Sequence, residues 1–401
     1  MQLDRTFARA VAIGVHRVTV RVGLDVLAAD QFAPLRQRRV GLFTHAGAVD
    51  SRLQSAYRGF VAELRASRVT LTALFTGEHG LSGAADAGQA IPTLIDPSTG
   101  VPVHSLYGDT LRPTPDMLAD VDVIVCDVQD VGARFYTFTS TLGYVLEAAG
   151  DAGIEVIVLD RPNPLGGDRI DGAMLHPDYA SFVGRFPQPI QHGMTIGELA
   201  AWINSVHNPT PASLSIIPCL DWKRAHTWEQ TGLMWVPTSP NMSHFSTVQH
   251  YPGACLVEGT NLSEGRGTAL PFEIVGAPFV DGEELAERLN AQAWMGCAFR
   301  PHTFSPSASK WAGQRCHGVQ VHCTDPRVFL PIRVWLGVVM AIRARYPDDF
   351  TWIPAIFDRL MGNADVRAAI EHGETLRDIS AAWDDDRDRW MFARQPYLLY
   401  E

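Results

Sequence analysis

Four short runs of apolar and β-branched residues, at 39–44, 69–75, 121–127 and 154–160, recur along the first half of the chain, separated by segments of helical pattern. Runs of this kind are apolar on both faces, and a strand tolerates that only when helices cover both sides of its sheet. The segments at 53–66 and 139–149 read as such helices. A third, at 195–206, opens on Thr195 with Glu198 three residues on, the spacing of a capping box. The pattern predicts an α/β fold built on a parallel sheet. At 207–211 a Pro-rich stretch, HNPTP, interrupts it. Beyond lie strands at 213–219 and 318–324 and helices at 283–292 and 332–345, which predict a smaller α/β unit. Three segments follow: an N-terminal extension over 1–22, a parallel-sheet domain over 23–207 and a smaller α/β domain over 208–401. A chain of 401 residues buries enough surface to hold these together without disulfides or metals.

The net charge of −11 and the absence of any Lys/Arg-rich run argue against nucleic acid as a partner, because phosphate neutralisation needs a basic face. Six cysteines are scattered with no C-x-x-C pair, so neither a zinc ribbon nor a disulfide framework is expected. Cys126, inside an apolar strand, reads as a small core residue. Near the N-terminus the longest uncharged apolar run covers only 10–15 and follows Asp4, which is too short for a signal-peptide core. No segment approaches the ~18 apolar residues of a membrane span. A cytoplasmic protein without a membrane partner is expected, with export by another route as the alternative.

Ligands of parallel sheets bind beyond the carboxyl ends of the strands, and all four strand ends here are polar or Gly-rich. The first gives Thr44, His45 and Gly47. The second gives Gly77-Glu78-His79-Gly80. The third runs from Asp127 through Gln129, Asp130, Gly132 and Arg134 to Tyr136, and the fourth from Asp160 and Arg161 through Asn163 to Gly167. No G-x-G-x-x-G follows the first strand and no Walker loop occurs, so a dinucleotide enzyme is not indicated and no cofactor is expected. In the second half, residues 258–268 combine Glu258, Asn261, Glu264 and Arg266 with several glycines. Upstream, the loop 237–242 is stiffened by two prolines and carries Asn241.

The motifs FTGEHGLSG, DVQDVGARFYTF, DRPNPLGG, HGMTIGELA, SPNM, EGTNLSEGRGT and the terminal YLLYE together resemble the NamZ-type exo-β-N-acetylmuramidases of bacteria, a glycosidase family formerly known only as a domain of unknown function. The resemblance runs from about Gly23 to Glu401. It implies a Rossmann-like domain followed by a smaller α/β domain, with the active site in the cleft between them. It also implies removal of N-acetylmuramic acid from the non-reducing ends of peptidoglycan fragments. One departure is visible: His45 stands where the family pattern has Asn, which bears on subsite contacts rather than on the reaction.

The residues make chemical sense of that implication. Glycoside hydrolysis needs an acid for the leaving oxygen and commonly a second carboxylate at the anomeric carbon. Glu78, between glycines at a strand end, is the candidate acid; its structural alternative is a partner for His79. Glu264 and Glu258 are candidates for the second carboxylate, Glu264 being favoured by the nearby Arg266. The substrate's acetamido group can also assist, as in known exceptions. The lactyl carboxylate of muramic acid suits an arginine: Arg134, Arg161 or Arg266, unless these pair with Asp127, Asp130 or Asp160. Arg134 is slightly preferred. His79, Tyr136, Asp160, Asn163, Asn241 and Asn261 complete the candidate sugar contacts, with loop-stiffening caps as the competing role for the asparagines.

Two weaker patterns remain. Ser307 to Lys310 match the S-x-x-K of serine acyl-enzymes without its companion motifs. The histidines His192, His244, His250, His302, His317 and His322 lack zinc-helix spacing, so no metal is expected. The alternatives to a glycosidase are therefore a catalytically silent muropeptide-binding protein and a serine hydrolase using Ser307 and Lys310.

Overall fold

The computed structural model describes residues 19–401 apart from 84, 86, 87, 89–92 and 293. Residues 1–18 of the expected N-terminal extension thus lie outside the described residues. Among the described residues there are twelve strands: β1 Arg39–Thr44, β2 Thr70–Thr76, β3 Leu94–Ile95, β4 Pro102–Ser105, β5 Val123–Asp127, β6 Glu155–Leu159, β7 Asp171–Met174, β8 Pro189–Gln191, β9 Leu214–Ile217, β10 Ile274–Ala277, β11 Cys297–Phe304 and β12 Cys316–Cys323. The main sheet has the order β3-β4-β2-β1-β5-β6-β9. Its strands are parallel except for the antiparallel edge pair β3–β4. This is the α/β sheet that the four apolar runs predict.

Both faces of the sheet are dry. One packs Val40, Leu42, Leu74, Val123 and Val125 against Leu24 and Leu27 of the helix Gly23–Ala29 and Phe60 of the helix Ala56–Arg65. On the other, Phe43, Phe75, Ile124 and Val156 meet the helices Phe138–Ala152 and Ile196–Val206 through Leu142, Leu146, Leu199 and Ile203. The capping box at Thr195 forms as the sequence predicts: its hydroxyl accepts from the Glu198 N–H, and the Glu198 carboxylate accepts from the Thr195 N–H.

The second half contributes a three-stranded antiparallel sheet, β10-β12-β11, backed by the helices Phe245–Ala254, Gly282–Asn290 and Pro331–Arg345. The apolar core is continuous with that of the main sheet. Phe135 meets Tyr251 edge-on at 5.3 Å, and Tyr251 meets Phe272 at 5.0 Å. The strand at 213–219, expected on the far side of a 207/208 boundary, is β9 and hydrogen-bonds to β6. The Pro-rich break is thus a turn inside the first sheet's connectivity. Its prolines end a helix, and nothing local reveals that the next strand returns to the same sheet. All six cysteines are free, with Cys126 in the core. No helix of the described residues is long and apolar enough to cross a membrane.

Candidate active site

The chain runs outward from β1 through β2 to β4 and returns to β5 on the other side of β1. The carboxyl ends of β1 and β5 therefore flank the point where the winding reverses, the place where open α/β sheets hold ligands. His45, just past β1, is buried and accepts at Nε2 from the Gln129 N–H, 3.0 Å away, just past β5. Burial, with help from Arg161 and His79, lowers its pKa to about 3, so the ring is a neutral clasp between the two loops. The Gln129 amide donates onward to the carbonyls of Asp130 and Pro162. Gly132 sits at φ +79°, and a Cβ there would lie 2.4 Å from Asn163 Oδ1, so only glycine lets these turns approach.

Glu78 follows β2 and is half-buried. Its carboxylate accepts from the Thr137 hydroxyl and the Gly88 N–H, each at 3.1 Å. The Tyr107 hydroxyl also bonds to Glu78, and burial together with that carboxylate pushes the phenol up to about 12. No Arg or Lys pairs with Glu78 among the described residues. His79, at φ +73°, turns away and meets the Ala85 carbonyl at Nδ1, 2.7 Å. The Tyr136 hydroxyl meets Thr238 Oγ1 at 2.5 Å. Burial, then Asp130 and Glu78, push its pKa up. Tyr136 thus lies between the two strand-end loops and the 237–242 loop. Across from it, Tyr251 meets its ring edge-on at 6.0 Å. Asn241 is half-buried and makes no side-chain hydrogen bond among the described residues.

The segment 258–268 builds a second cluster. Arg266 donates from Nε and Nη2 to Glu258 Oε1, at 3.0 and 2.8 Å, and its guanidinium lies over the Phe272 ring. Nη1 is left without a protein partner among the described residues. Glu264 is buried, with Lys310 Nζ at 2.9 Å and Arg266 Nε at 3.6 Å. Burial pushes Glu258 up while Arg266 pulls it back. Both carboxylates expected as partners in the chemistry are thus matched by cations.

Several other expected contacts are committed elsewhere. Arg134, preferred for the lactyl carboxylate, is wholly buried and donates to the carbonyls of Ala173, Gln188 and Leu360. It fastens the fold, and burial brings its pKa down to about 9. Arg161 makes a two-pronged pair with Asp127 and donates to the Val49 carbonyl. Asp160 accepts from Thr195, the Gly197 N–H and Tyr400. It anchors a helix start and Tyr400 near the C-terminus. Asn163 stiffens its own turn through Leu165 and Met194. Asn261 ties its loop to Asp349 and Thr351. These five engagements share one cause: short-range sequence does not show where a polar side chain finds its partners.

The S-x-x-K pattern dissolves as well. The Ser307 hydroxyl donates to the Gly267 carbonyl, and Lys310 donates to the carbonyls of Val257 and Thr260 while facing Glu264. A lysine so engaged cannot serve as a base for Ser307. Residues that sequence reasoning missed include Tyr107 and Tyr251, neither carrying a motif of its own, and Thr137, which lies inside the DVQDVGARFYTF motif. Asp130 was visible only as a possible partner of Arg134, which it does not contact. No group of three or more His, Cys, Asp or Glu among the described residues is arranged to hold a metal.

The model of the exo-β-N-acetylmuramidase NamZ N-terminal domain matches residues 40–246, and that of its C-terminal domain matches 249–400. The chain belongs to the NamZ family. It is 43% identical, over 95% of its length and 91% of the relative's, to the peptidoglycan β-N-acetylmuramidase NamZ of Bacillus subtilis strain 168. Two crystal structures of DUF1343-family proteins from Bacteroides fragilis NCTC 9343 share the fold. One is 35% identical with a TM-score of 0.88, covering 96% of this chain and all of that one. The other is 28% identical with a TM-score of 0.75, covering 95% and 99%. Within the NamZ family frame, the Glu78 loop and the 258–268 cluster are the chemically equipped faces of this chain.

Proposed function

We propose that this chain is an exo-acting glycoside hydrolase that releases N-acetylmuramic acid from the non-reducing ends of peptidoglycan-derived glycans, with Glu78 as the general acid. The observation that carries the acid role is the environment of Glu78: a half-buried carboxyl at a strand end, held by hydroxyls and one N–H, with no cation beside it among the described residues. Hydroxyls donate to a carboxylate and accept from a carboxylic acid. Both protonation states of Glu78 therefore find partners in Thr137 and Tyr107, as a group that gives and regains a proton requires. The identity to a peptidoglycan β-N-acetylmuramidase over nearly the whole chain supports the substrate class.

Arg266, whose Nη1 beside the Glu258 pair has no partner among the described residues, is the arginine we assign to the lactyl carboxylate, in place of Arg134. A chromogenic N-acetyl-β-muramide tests the acid role. Glu78→Gln should lower turnover by about 10²–10⁴ while binding of N-acetylmuramic acid, read by calorimetry, persists. Unchanged turnover in Glu78→Gln rejects the assignment, and a wild type that binds without turnover favours the muropeptide-binding alternative. The finer reading is that the substrates are small muropeptides recycled in the cytoplasm. Cell fractionation that finds the protein outside the cytoplasmic membrane would end it.

A further inference from the structure

Asp130 is an anomaly among the buried carboxylates. The others have an Arg or Lys partner, as do Asp171 and Glu198, or at least two hydrogen-bond donors, as do Asp96 and Asp160. Asp130 is 4% exposed and takes one donor, the Gly132 N–H at 2.6 Å on Oδ2. Its Oδ1 is buried with no hydrogen-bond partner among the described residues. His192 Nε2 lies 3.5 Å from Oδ2 without hydrogen-bonding to it, and has no hydrogen-bond partner among the described residues. His192 Nδ1 accepts from the Met194 N–H, which leaves the ring proton on Nε2, facing the gap. Burying a carboxylate this poorly compensated is costly. Position adds to the anomaly, since Asp130 stands just past β5 at the reversal point of the sheet. The His45 clasp on Gln129 and the Gly132–Asn163 contact hold its turn rigid. The Tyr136 hydroxyl feels the charge of both Asp130 and Glu78.

We infer that Asp130 is the second carboxylate of the reaction, its Oδ1 accepting the N–H of the bound sugar's 2-acetamido group. The inference rests on the glycosidase reading above and departs from Glu258 and Glu264, whose charges are already matched. In the first step the acetamido carbonyl oxygen bonds to the anomeric carbon as the glycosidic C–O bond breaks. Glu78 gives its proton to the leaving oxygen, and the acetamido N–H proton passes to Asp130, leaving a neutral oxazoline. In the second step water bonds to the anomeric carbon and the ring C–O bond of the oxazoline breaks. The water's proton goes to Glu78 and Asp130 returns its proton to nitrogen, so both carboxyls recover their starting states. Two displacements at one carbon give net retention.

The test uses the full chain and an aryl N-acetyl-β-muramide. Proton NMR of the wild-type reaction should show the β anomer of N-acetylmuramic acid formed first. Asp130→Asn should lose at least a hundredfold in kcat with KM changed only a few-fold, and should be insensitive to replacing the acetamido by a trifluoroacetamido group, which slows the wild type steeply. A measurement independent of the variant's folding uses N-acetylmuramic acid labelled with ¹⁵N in the acetamido group and bound to wild type: its amide proton should move downfield. First formation of the α anomer, an unmoved amide proton, or an Asp130→Asn kcat within threefold of wild type each overturns the inference while leaving the glycosidase reading in place. No turnover by wild type overturns both.

Discussion

The loops after β2 and β5 and the segment 258–268 each bring a pair of carboxylates to the site, and they treat charge in opposite ways. In the second cluster Glu258, Arg266, Glu264 and Lys310 alternate in sign, with contacts of 2.8 to 3.6 Å. In the first, Glu78 and Asp130 meet hydroxyls, backbone N–H groups and a distant imidazole, but no Arg or Lys among the described residues. A matched carboxylate is held ionised and geometrically fixed, which suits recognition and folding. An unmatched one is free to change protonation state or to take a donor from a ligand, which suits proton transfer. On the proposed mechanism, the difference separates groups that shape the site from groups that act in it.

The sharpest way to break this comparison is to neutralise Glu264. Removing one partner of a buried pair leaves the other charge uncompensated, at a cost of about 3–5 kcal/mol. Glu264→Gln should therefore lower the unfolding free energy by an amount near the low end of that range, because Lys310 keeps two carbonyl acceptors. At a temperature where the variant is folded, kcat should stay within tenfold of wild type. Glu78→Gln should show the reverse, a large loss of turnover with little loss of stability. Denaturant unfolding and kcat on the same samples decide between them. If Glu264→Gln keeps its stability and loses turnover, Glu264 is the second carboxylate and the two clusters exchange roles.

The scaffold was far more legible in the sequence than the roles of side chains within it. Continuous apolar runs at 39–44, 121–127 and 154–160 can only be interior strands, and the Thr195–Glu198 spacing marks a helix start from local atoms alone. Strand pairing is not local, so β9 could be recognised as a strand but not assigned to its sheet. Arg134 illustrates the same limit for the site. Its neighbours Gly132 and Tyr136 do line the reversal point, yet its own guanidinium ends on the Leu360 carbonyl, 226 residues away. Asp130 was hidden for the opposite reason: what distinguishes it is a partner that is missing, and no motif records that.

A third kind of carboxylate tests whether donors alone can stand in for a cation. Asp160 has no Arg or Lys partner among the described residues but is surrounded by Thr195, Tyr400 and two backbone N–H groups. Burial, aided by Glu198, still raises its pKa from 3.8 to about 6. The folded form thus holds the proton more tightly than the unfolded chain. The stabilisation is complete below about pH 4 and disappears as the pH rises through about 6. A shift of about two units corresponds to about 3 kcal/mol. Between pH 7 and pH 4.5 the wild type should gain about 2 kcal/mol relative to Asp160→Asn, which has no proton to bind. Urea unfolding of both proteins at the two pH values measures it. A difference that is flat with pH would mean the donors fully replace a cation, and the contrast drawn for Asp130 would lose its physical basis.

The smallest effect probes recognition in the matched cluster. N-acetylmuramic acid differs from N-acetylglucosamine by its lactyl ether, whose carboxylate can take a charge-assisted bond that a hydroxyl cannot equal, worth roughly 1.5–3 kcal/mol. Arg266 keeps Nη1 open while Nε and Nη2 hold Glu258, so it can bind an anion without giving up its own partner. Arg266→Met should then cost muramide turnover more than glucosaminide turnover. At about 2 kcal/mol of differential binding, the ratio of the two kcat/KM values should fall roughly thirtyfold. Arg134→Met should instead lower stability, since three carbonyls lose their donor, and leave the ratio unchanged. If the ratio narrows in Arg134→Met and holds in Arg266→Met, the matched cluster has no part in reading the lactyl group. Its pairing would then serve the fold alone.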